Sequence, residues 1–251
     1  MGQHWYTADR QPMHEVEGKN GNMRSTTIRD ARKLNLFPSV TTIIGMLDKP
    51  GLNQWIQTQI ARATIDNPIQ KGEKFDDWVS RIKKLGKEQG DRTAKIGTEI
   101  HDAIEQRWNN SVAFNKYFHI AEAVVNKIIL YCETDEFEPE QIVIGDGYGG
   151  KVDLHNDDFV IDYKTKDIDD TKWAKLQSKS PLKMAYDEEC MQLSAYRAAL
   201  PPGATRMLNV FVDRTIPGRI YIYEHTENMY GQFQCLVDYW QRAKKYTPEQ
   251  E

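Results

Sequence analysis

The hydrophobic period of the sequence changes near Glu136, and that change limits the folds open to the chain. From Phe37 to Asp135 the apolar residues recur at helical spacing. From Glu136 to Thr165, and again from Met207 to Tyr223, they fall in short runs bounded by turn residues. A helical half followed by a stranded half excludes an all-helical bundle and an all-β sandwich. It predicts an α/β or α+β fold in which helices pack on a small mixed sheet. Before Phe37, the stretch from Gln3 to Ile28 reads as short strands around the turn Gly18-Lys19-Asn20-Gly21.

Within the helical half, Ser39 after Pro38 reads as an N-cap, followed by the stripe Val40, Ile43, Ile44, Leu47. Pro50-Gly51 reads as a break, and Trp55, Ile56, Ile60 and Ala63 mark a second helix. Further helices are predicted over 75–85, 91–108 and 120–131. Beyond Glu136 the pattern predicts strands at 141–144, 151–154 and 159–165, with a glycine-rich turn over Gly145 to Gly150 and a second turn at His155 to Asp158. Helices follow over 169–176 and 185–200, then a hairpin of 207–213 with 219–223, and a closing helix over 227–245. The organisation expected is one domain in four stretches: 1–36, 37–135, 136–226 and 227–251.

The chain has 251 residues, enough to form a core without covalent staples. Its net charge of −4 argues against a nonspecific, histone-like DNA coat, but leaves room for a metal site built from carboxylates and a local basic groove. The three cysteines Cys132, Cys190 and Cys235 lie far apart. They predict neither a disulfide framework, nor a zinc ribbon, nor an iron–sulfur cluster, and they fit a reducing cytoplasm. There is no run of about 18 apolar residues and no charged-then-apolar leader pattern, so no membrane partner is expected. No Gly-x-x-x-x-Gly-Lys-Ser/Thr loop occurs, so ATP is not expected as a cofactor.

The chemistry centres on Asp162-Tyr163-Lys164. On a strand, Asp162 and Lys164 share one face. If the strand before the turn pairs with this one, Asp153 lands near Asp162. Two carboxylates and an ammonium then converge, which suits phosphodiester hydrolysis assisted by a hard divalent cation. Acid-x-Lys also occurs at Glu17-Gly18-Lys19 and Asp170-Thr171-Lys172, so the triplet alone signifies little more than a solvated ion pair. Val160-Ile161 makes this copy different, because a buried strand that runs into Asp and Lys needs a reason. Two further pairs stand at i, i+4 on helices: His101 with Glu105, and Gln192 with Tyr196. Each alone is most simply an ordinary helix face.

Taken in order, Gly97-x-x-x-His101, Gly150-x-x-Asp153, Asp162-Tyr163-Lys164-Thr165 and Gln192-Leu193-x-x-Tyr196 resemble the RecB-like branch of the PD-(D/E)xK nucleases. Phe37-Pro38-Ser39-Val40-Thr41-Thr42-Ile43, with Trp55 downstream, is similar to the phage-type and mitochondrial-genome-maintenance-type exonucleases of that branch. The resemblance runs from about residue 37 to residue 200. It implies a restriction-endonuclease-like core and a metal-dependent DNA exonuclease using Mg²⁺ or Mn²⁺, without an iron–sulfur cluster. Asp153, Asp162 and Lys164 would be catalytic. The metal would be held by His101, Asp153, Asp162 and the Tyr163 carbonyl, with Glu105, Gln192 and Tyr196 in support. Glu140 reads as a surface carboxylate.

The partner implied is DNA, single-stranded or a duplex end, and the resemblance also allows a single-strand annealing or single-strand-binding protein as a second partner. The setting would be phage or bacterial recombination, replication or repair in a bacterial cytoplasm. DNA contacts are expected from Thr165, Lys166, Gln192, Tyr196, Trp173, Arg92 and Lys95. Behind these stand the wider basic clusters Arg81, Lys83, Lys84, Lys87 and Lys172, Lys175, Lys179, Lys183. Two alternatives stay open: a structure-selective or restriction-like endonuclease, and a non-catalytic DNA-binding or assembly module on a nuclease fold.

Overall fold

The protein is described as a computed structural model covering residues 4–111, 115–178 and 183–249. It divides into two compact units, one of residues 1–46 and 103–251, the other of residues 47–102. The first unit is built on a five-stranded sheet. Its strands are β5 (Glu138–Gly145), β6 (Tyr148–His155), β7 (Phe159–Lys166), β8 (Arg206–Asp213) and β9 (Ile220–His225), in that spatial order. Only β7 and β8 run parallel; every other neighbouring pair is antiparallel. The fold is therefore mixed α/β, as the change of period predicts. The parallel pair requires a crossover, and α6 (Asp170–Leu176) and α7 (Asp187–Ala199) supply it.

Short elements precede the sheet. β1 (Trp5–Tyr6) pairs with β4 (Phe37–Pro38), and β2 (Glu15–Glu17) pairs with β3 (Met23–Ser25) across the expected glycine turn. Helix α1 (Ile28–Leu34) lies between them and was not expected. It is capped at Thr27 by Asp30 and ends in a left-handed Asn35, both ordinary boundary signals. Helix α2 (Val40–Ile44) starts at Ser39 as predicted, the Ser39 hydroxyl accepting from Thr42 N–H at 3.0 Å, but it stops before Leu47. Helix α5 (Phe118–Cys132) buries Ile120, Val124, Val125 and Ile128, and α8 (Tyr230–Lys244) closes the chain on Phe233, Val237 and Trp240.

Two corrections concern glycine. The second unit carries α3 (Pro50–Asp66) and most of α4 (Phe75–Trp108). Pro50 begins α3 rather than breaking its predecessor, since a first-turn proline loses no hydrogen bond. The predicted gap between 85 and 91 does not exist, for α4 is continuous. Gly86 is a contact point within it: a Cβ there would meet Ile60 Cγ1 at 2.9 Å. Similarly, the glycine-rich stretch after Ile144 is not one long turn. Gly145 pairs with Tyr148, so only Asp146-Gly147 form the hairpin loop, with Gly147 at φ 79°. Gly149 and Gly150 lie inside β6, because side chains press against the strand there. A Cβ on Gly150 would stand 2.5 Å from Tyr196 Cε1, and one on Gly149 would stand 2.9 Å from Tyr6 Cδ2.

Gly150→Ala should destabilise the protein by about 1–3 kcal/mol, because the buried Tyr196 ring has to move to admit one methyl group. Gly231→Ala, at an open helical position, should change stability by less than about 0.5 kcal/mol. Urea unfolding midpoints of the two variants test the contrast.

Candidate active site

The site lies where two strands part. Near their connecting turn β6 and β7 pair normally, Leu154 with Ile161 and His155 with Val160. One step further Asp153 and Asp162 would face each other, and the ladder stops. The Tyr163 N–H donates to a side chain, Asp153 Oδ2, at 2.8 Å. β7 meanwhile stays in register with β8 along its whole length, from Phe159 with Arg206 to Lys166 with Asp213. One side of β7 is therefore fixed by backbone, and the other is held by a carboxylate.

Asp162 is only 3% exposed, and an isolated carboxylate so placed would be prohibitively costly. Both of its oxygens are met. Gln192 Nε2 donates to Oδ1 at 2.8 Å, Asn209 Nδ2 donates to Oδ2 at 2.8 Å, and Lys164 Nζ lies 2.6 Å from Oδ2. Lys164 is fixed in turn by donating to Gln192 Oε1 at 3.0 Å. Burial alone would pull the Lys164 ammonium down, but the surrounding carboxylates, Asp162 first and then Asp153 and Glu189, together outweigh it, and the net shift is upward. Lys164 is charged at neutral pH.

Asp153 behaves differently. Burial first, and the adjacent Asp162 charge second, push its carboxyl up to about 7, against the opposing help of the Tyr163 N–H, Lys164 and Lys151. Asp153 therefore keeps its proton to near neutrality. Glu140 stands beside them. It is half-buried, not the surface carboxylate expected: it pairs with Lys151, and burial raises its carboxyl with further contributions from Asp153 and Glu105. It lies on β5 across from Asp153 with a left-handed φ of 59°, where the β5–β6 ladder skips a pair.

The remaining predicted residues are placed as follows. Tyr196 is buried, its hydroxyl accepting from Gln192 Nε2 at 3.1 Å. The Tyr163 hydroxyl accepts from Trp108 Nε1 at 3.0 Å. Glu105 is half-buried near Glu140 and Lys151. Lys166 turns inward: it donates to Met184 O at 3.2 Å, pairs with Glu189 at 3.4 Å and covers the Phe211 ring. Thr165 is half-buried on β7, and Trp173 packs against the cluster of Ile168, Leu176, Met184, Ala185 and Phe211. Lys175 and Lys183 are exposed, and Lys179 lies outside the described residues. In the second unit His101 is half-buried on α4, Lys95 is exposed, Arg92 is paired with Glu88, and Arg81 is held by Glu73.

Asn209 and His225 escaped the sequence reading. Asn209 interrupts the otherwise apolar run Met207 to Val212, and a lone amide in a buried strand was the available signal. His225 carried no such signal, being the last residue of a strand and only half-buried.

Among the described residues no group of three or more His, Cys, Asp or Glu side chains is arranged to hold a metal ion. In donor chemistry, Asp153 and Asp162 nonetheless suit a hard dication. Both offer oxygen, and their mutual repulsion, visible in the raised Asp153 carboxyl, is what an added positive charge relieves.

No known family matches the sequence, and no curated protein matches it either. Among solved structures the chain is similar to an alkaline exonuclease from Laribacter hongkongensis (LHK-Exo). The TM-score is 0.37 and the identity 11%, over 77% of this chain and 92% of that one. A likeness that distant carries no weight on activity.

The raised Asp153 carboxyl makes stability fall with pH. Its pKa is about 7 in the fold and 3.8 ordinarily, so between those values the folded chain binds more protons than the unfolded one. Stability from this group is complete below about pH 4 and is lost as pH rises through about 7. Without divalent metal, Asp153→Asn should flatten that decline and raise Tm at pH 8 by roughly 2–4 °C. Thermal unfolding of both proteins in EDTA from pH 5 to pH 8 checks it.

Proposed function

We propose that the protein is a metal-dependent deoxyribonuclease, acting as an exonuclease on single-stranded DNA or duplex ends. The observation that carries this reading is the convergence of Asp153, Asp162 and Lys164 where β6 and β7 part, with Lys164 clamped between Asp162 and Gln192. Asp153 and Asp162 would hold Mg²⁺ or Mn²⁺, which when bound polarises a phosphodiester and favours ionisation of a water. The chain's own residues supply the rest. Asp162, fixed by three donors, is preorganised and need not reorient during reaction. Lys164 offers a fixed positive charge to the negative charge that builds on the phosphate oxygens, and its two acceptors set where that charge sits. Asp153 gives up its proton near neutrality, so cation binding competes with protonation there.

This reading treats the whole chain as one nuclease. DNA would be held through phosphate contacts by exposed lysines such as Lys175 and Lys183, with affinity that falls as salt rises.

Incubation with Mg²⁺ or Mn²⁺ and end-labelled linear DNA should degrade the linear strands, spare a closed circle, and stop in EDTA. Lys164→Ala should lower the rate by at least about 100-fold while DNA binding, read by anisotropy, persists. Cleavage at near wild-type rates by Lys164→Ala would remove Lys164 from the chemistry. A nicked circle would make the enzyme an endonuclease, and no metal-dependent cleavage of any substrate would leave a binding module.

A second outcome concerns pH. Because Asp153 must lose a proton to bind a cation, Mn²⁺ affinity should rise between pH 6 and pH 8. The proton released on binding should appear in titration calorimetry as a heat that varies with the ionisation enthalpy of the buffer.

A further inference from the structure

Asp162 is held from behind by more than one layer. Asn209 sits beside it on the parallel strand β8, in direct register, and is fully buried. Its Nδ2 donates to Asp162 Oδ2 at 2.8 Å and approaches the Asp162 carbonyl at 3.4 Å. On the far side, His225 Nε2 of β9 lies 2.7 Å from Asn209 Oδ1. A carboxylate only accepts hydrogen bonds, so the amide end facing Asp162 must be the NH₂. The carbonyl end therefore faces the imidazole, and the nitrogen meeting it must carry the hydrogen. One charge thus sets the orientation of the amide and the tautomer of the ring.

We propose that Asn209 and His225 are positioning residues for Asp162: a relay, His225 Nε2–H to Asn209 Oδ1 and Asn209 Nδ2–H to Asp162 Oδ2, that fixes the carboxylate in its cation-holding orientation. The inference rests on the nuclease reading for its consequence, but not for its geometry. The relay ends in a half-buried histidine that packs edge-on against Tyr223 at 4.9 Å. Burial lowers the His225 pKa to about 4, so the ring is neutral at pH 7 and can act as a one-hydrogen donor. The donor from α7, Gln192, is oriented by the same logic, its NH₂ toward Asp162 and its oxygen toward Lys164. The carboxylate is then gripped from α7 and from β8, and a rotation about its Cβ–Cγ bond would break contacts on both sides.

The test uses the full chain and Mn²⁺ alone, then DNA. His225→Phe keeps an aromatic ring and removes the donor, whereas His225→Gln restores an N–H at similar reach. We expect His225→Phe to weaken Mn²⁺ binding by about 10- to 100-fold, and His225→Gln to recover most of that loss, with cleavage rates following the same order. Both variants should melt within a few degrees of each other. In the wild-type protein, heteronuclear NMR at pH 7 should show the Nε2–H tautomer of His225. Unchanged Mn²⁺ affinity in His225→Phe would overturn the relay, as would equal loss in both variants or an Nδ1–H tautomer in the wild type. If the wild-type chain binds Mn²⁺ but cuts no DNA, the nuclease reading fails and the Mn²⁺ comparison still decides the relay. If it binds no Mn²⁺, that reading fails again, and the tautomer alone decides.

Discussion

A buried carboxylate is the constraint around which the first unit is ordered. Asp162 sits at the centre of a sheet with almost no access to water, so its charge survives only where enough donors are brought to it. They come from separate elements: an ammonium two residues along the same strand, an amide from α7, and an amide from β8. Replacing any one donor by an apolar group would leave part of that charge unmatched, which is far costlier than losing a surface ion pair. The side chains of Gln192, Asn209 and Lys164 therefore have little freedom in what they can be, and the elements that carry them have little freedom in where they lie.

The backbone arrangement follows the same demand. β7 is anchored to β8 by an unbroken parallel ladder, which puts Asn209 at the level of Asp162. On its other edge the ladder to β6 stops after two pairs, and the released Tyr163 N–H is taken up by Asp153. A carboxylate accordingly performs a structural duty that backbone performs elsewhere in the sheet. That double employment brings the two acids close enough for one to hold its proton to near neutrality. The glycines at 149 and 150 belong to the same arrangement, for they let Tyr6 and Tyr196 come close against β6.

Much of this was legible in the residues. The change of period near Glu136 gave the mixed architecture, and the strands bearing Asp153 and Asp162 lie where alternation and turn residues put them. The convergence of those acids with Lys164 followed from strand geometry alone. What the pattern did not carry was longer-range packing. Gly86 and Gly150 read as breaks or turns because a glycine chosen for close approach looks the same in sequence as one chosen for a turn. Glu140 read as surface because its neighbours on β6 become neighbours only through the hairpin. Lys166 read as a DNA contact, yet the turn of chain that receives its ammonium lies some twenty residues downstream. Asn209 was the one signal present but unread, a polar residue where every neighbour is apolar.

The crossover between β7 and β8 also bears on how the chain reaches this state. β8 pairs with β7 only by closing the long connection that carries α6 and α7, so the contacts of Gln192 and Asn209 with Asp162 are of long range and are the ones that cost the most loop entropy to form. Until they form, β7 is an open edge that begins Phe159-Val160-Ile161, the composition most prone to pairing with a stranger. Asp162 and Lys164 interrupt that edge with opposite charges. An intruding strand would have to desolvate both without offering the amides that α7 and β8 provide. The residues poised for chemistry in the finished protein are, in the unfinished one, gatekeepers against aggregation.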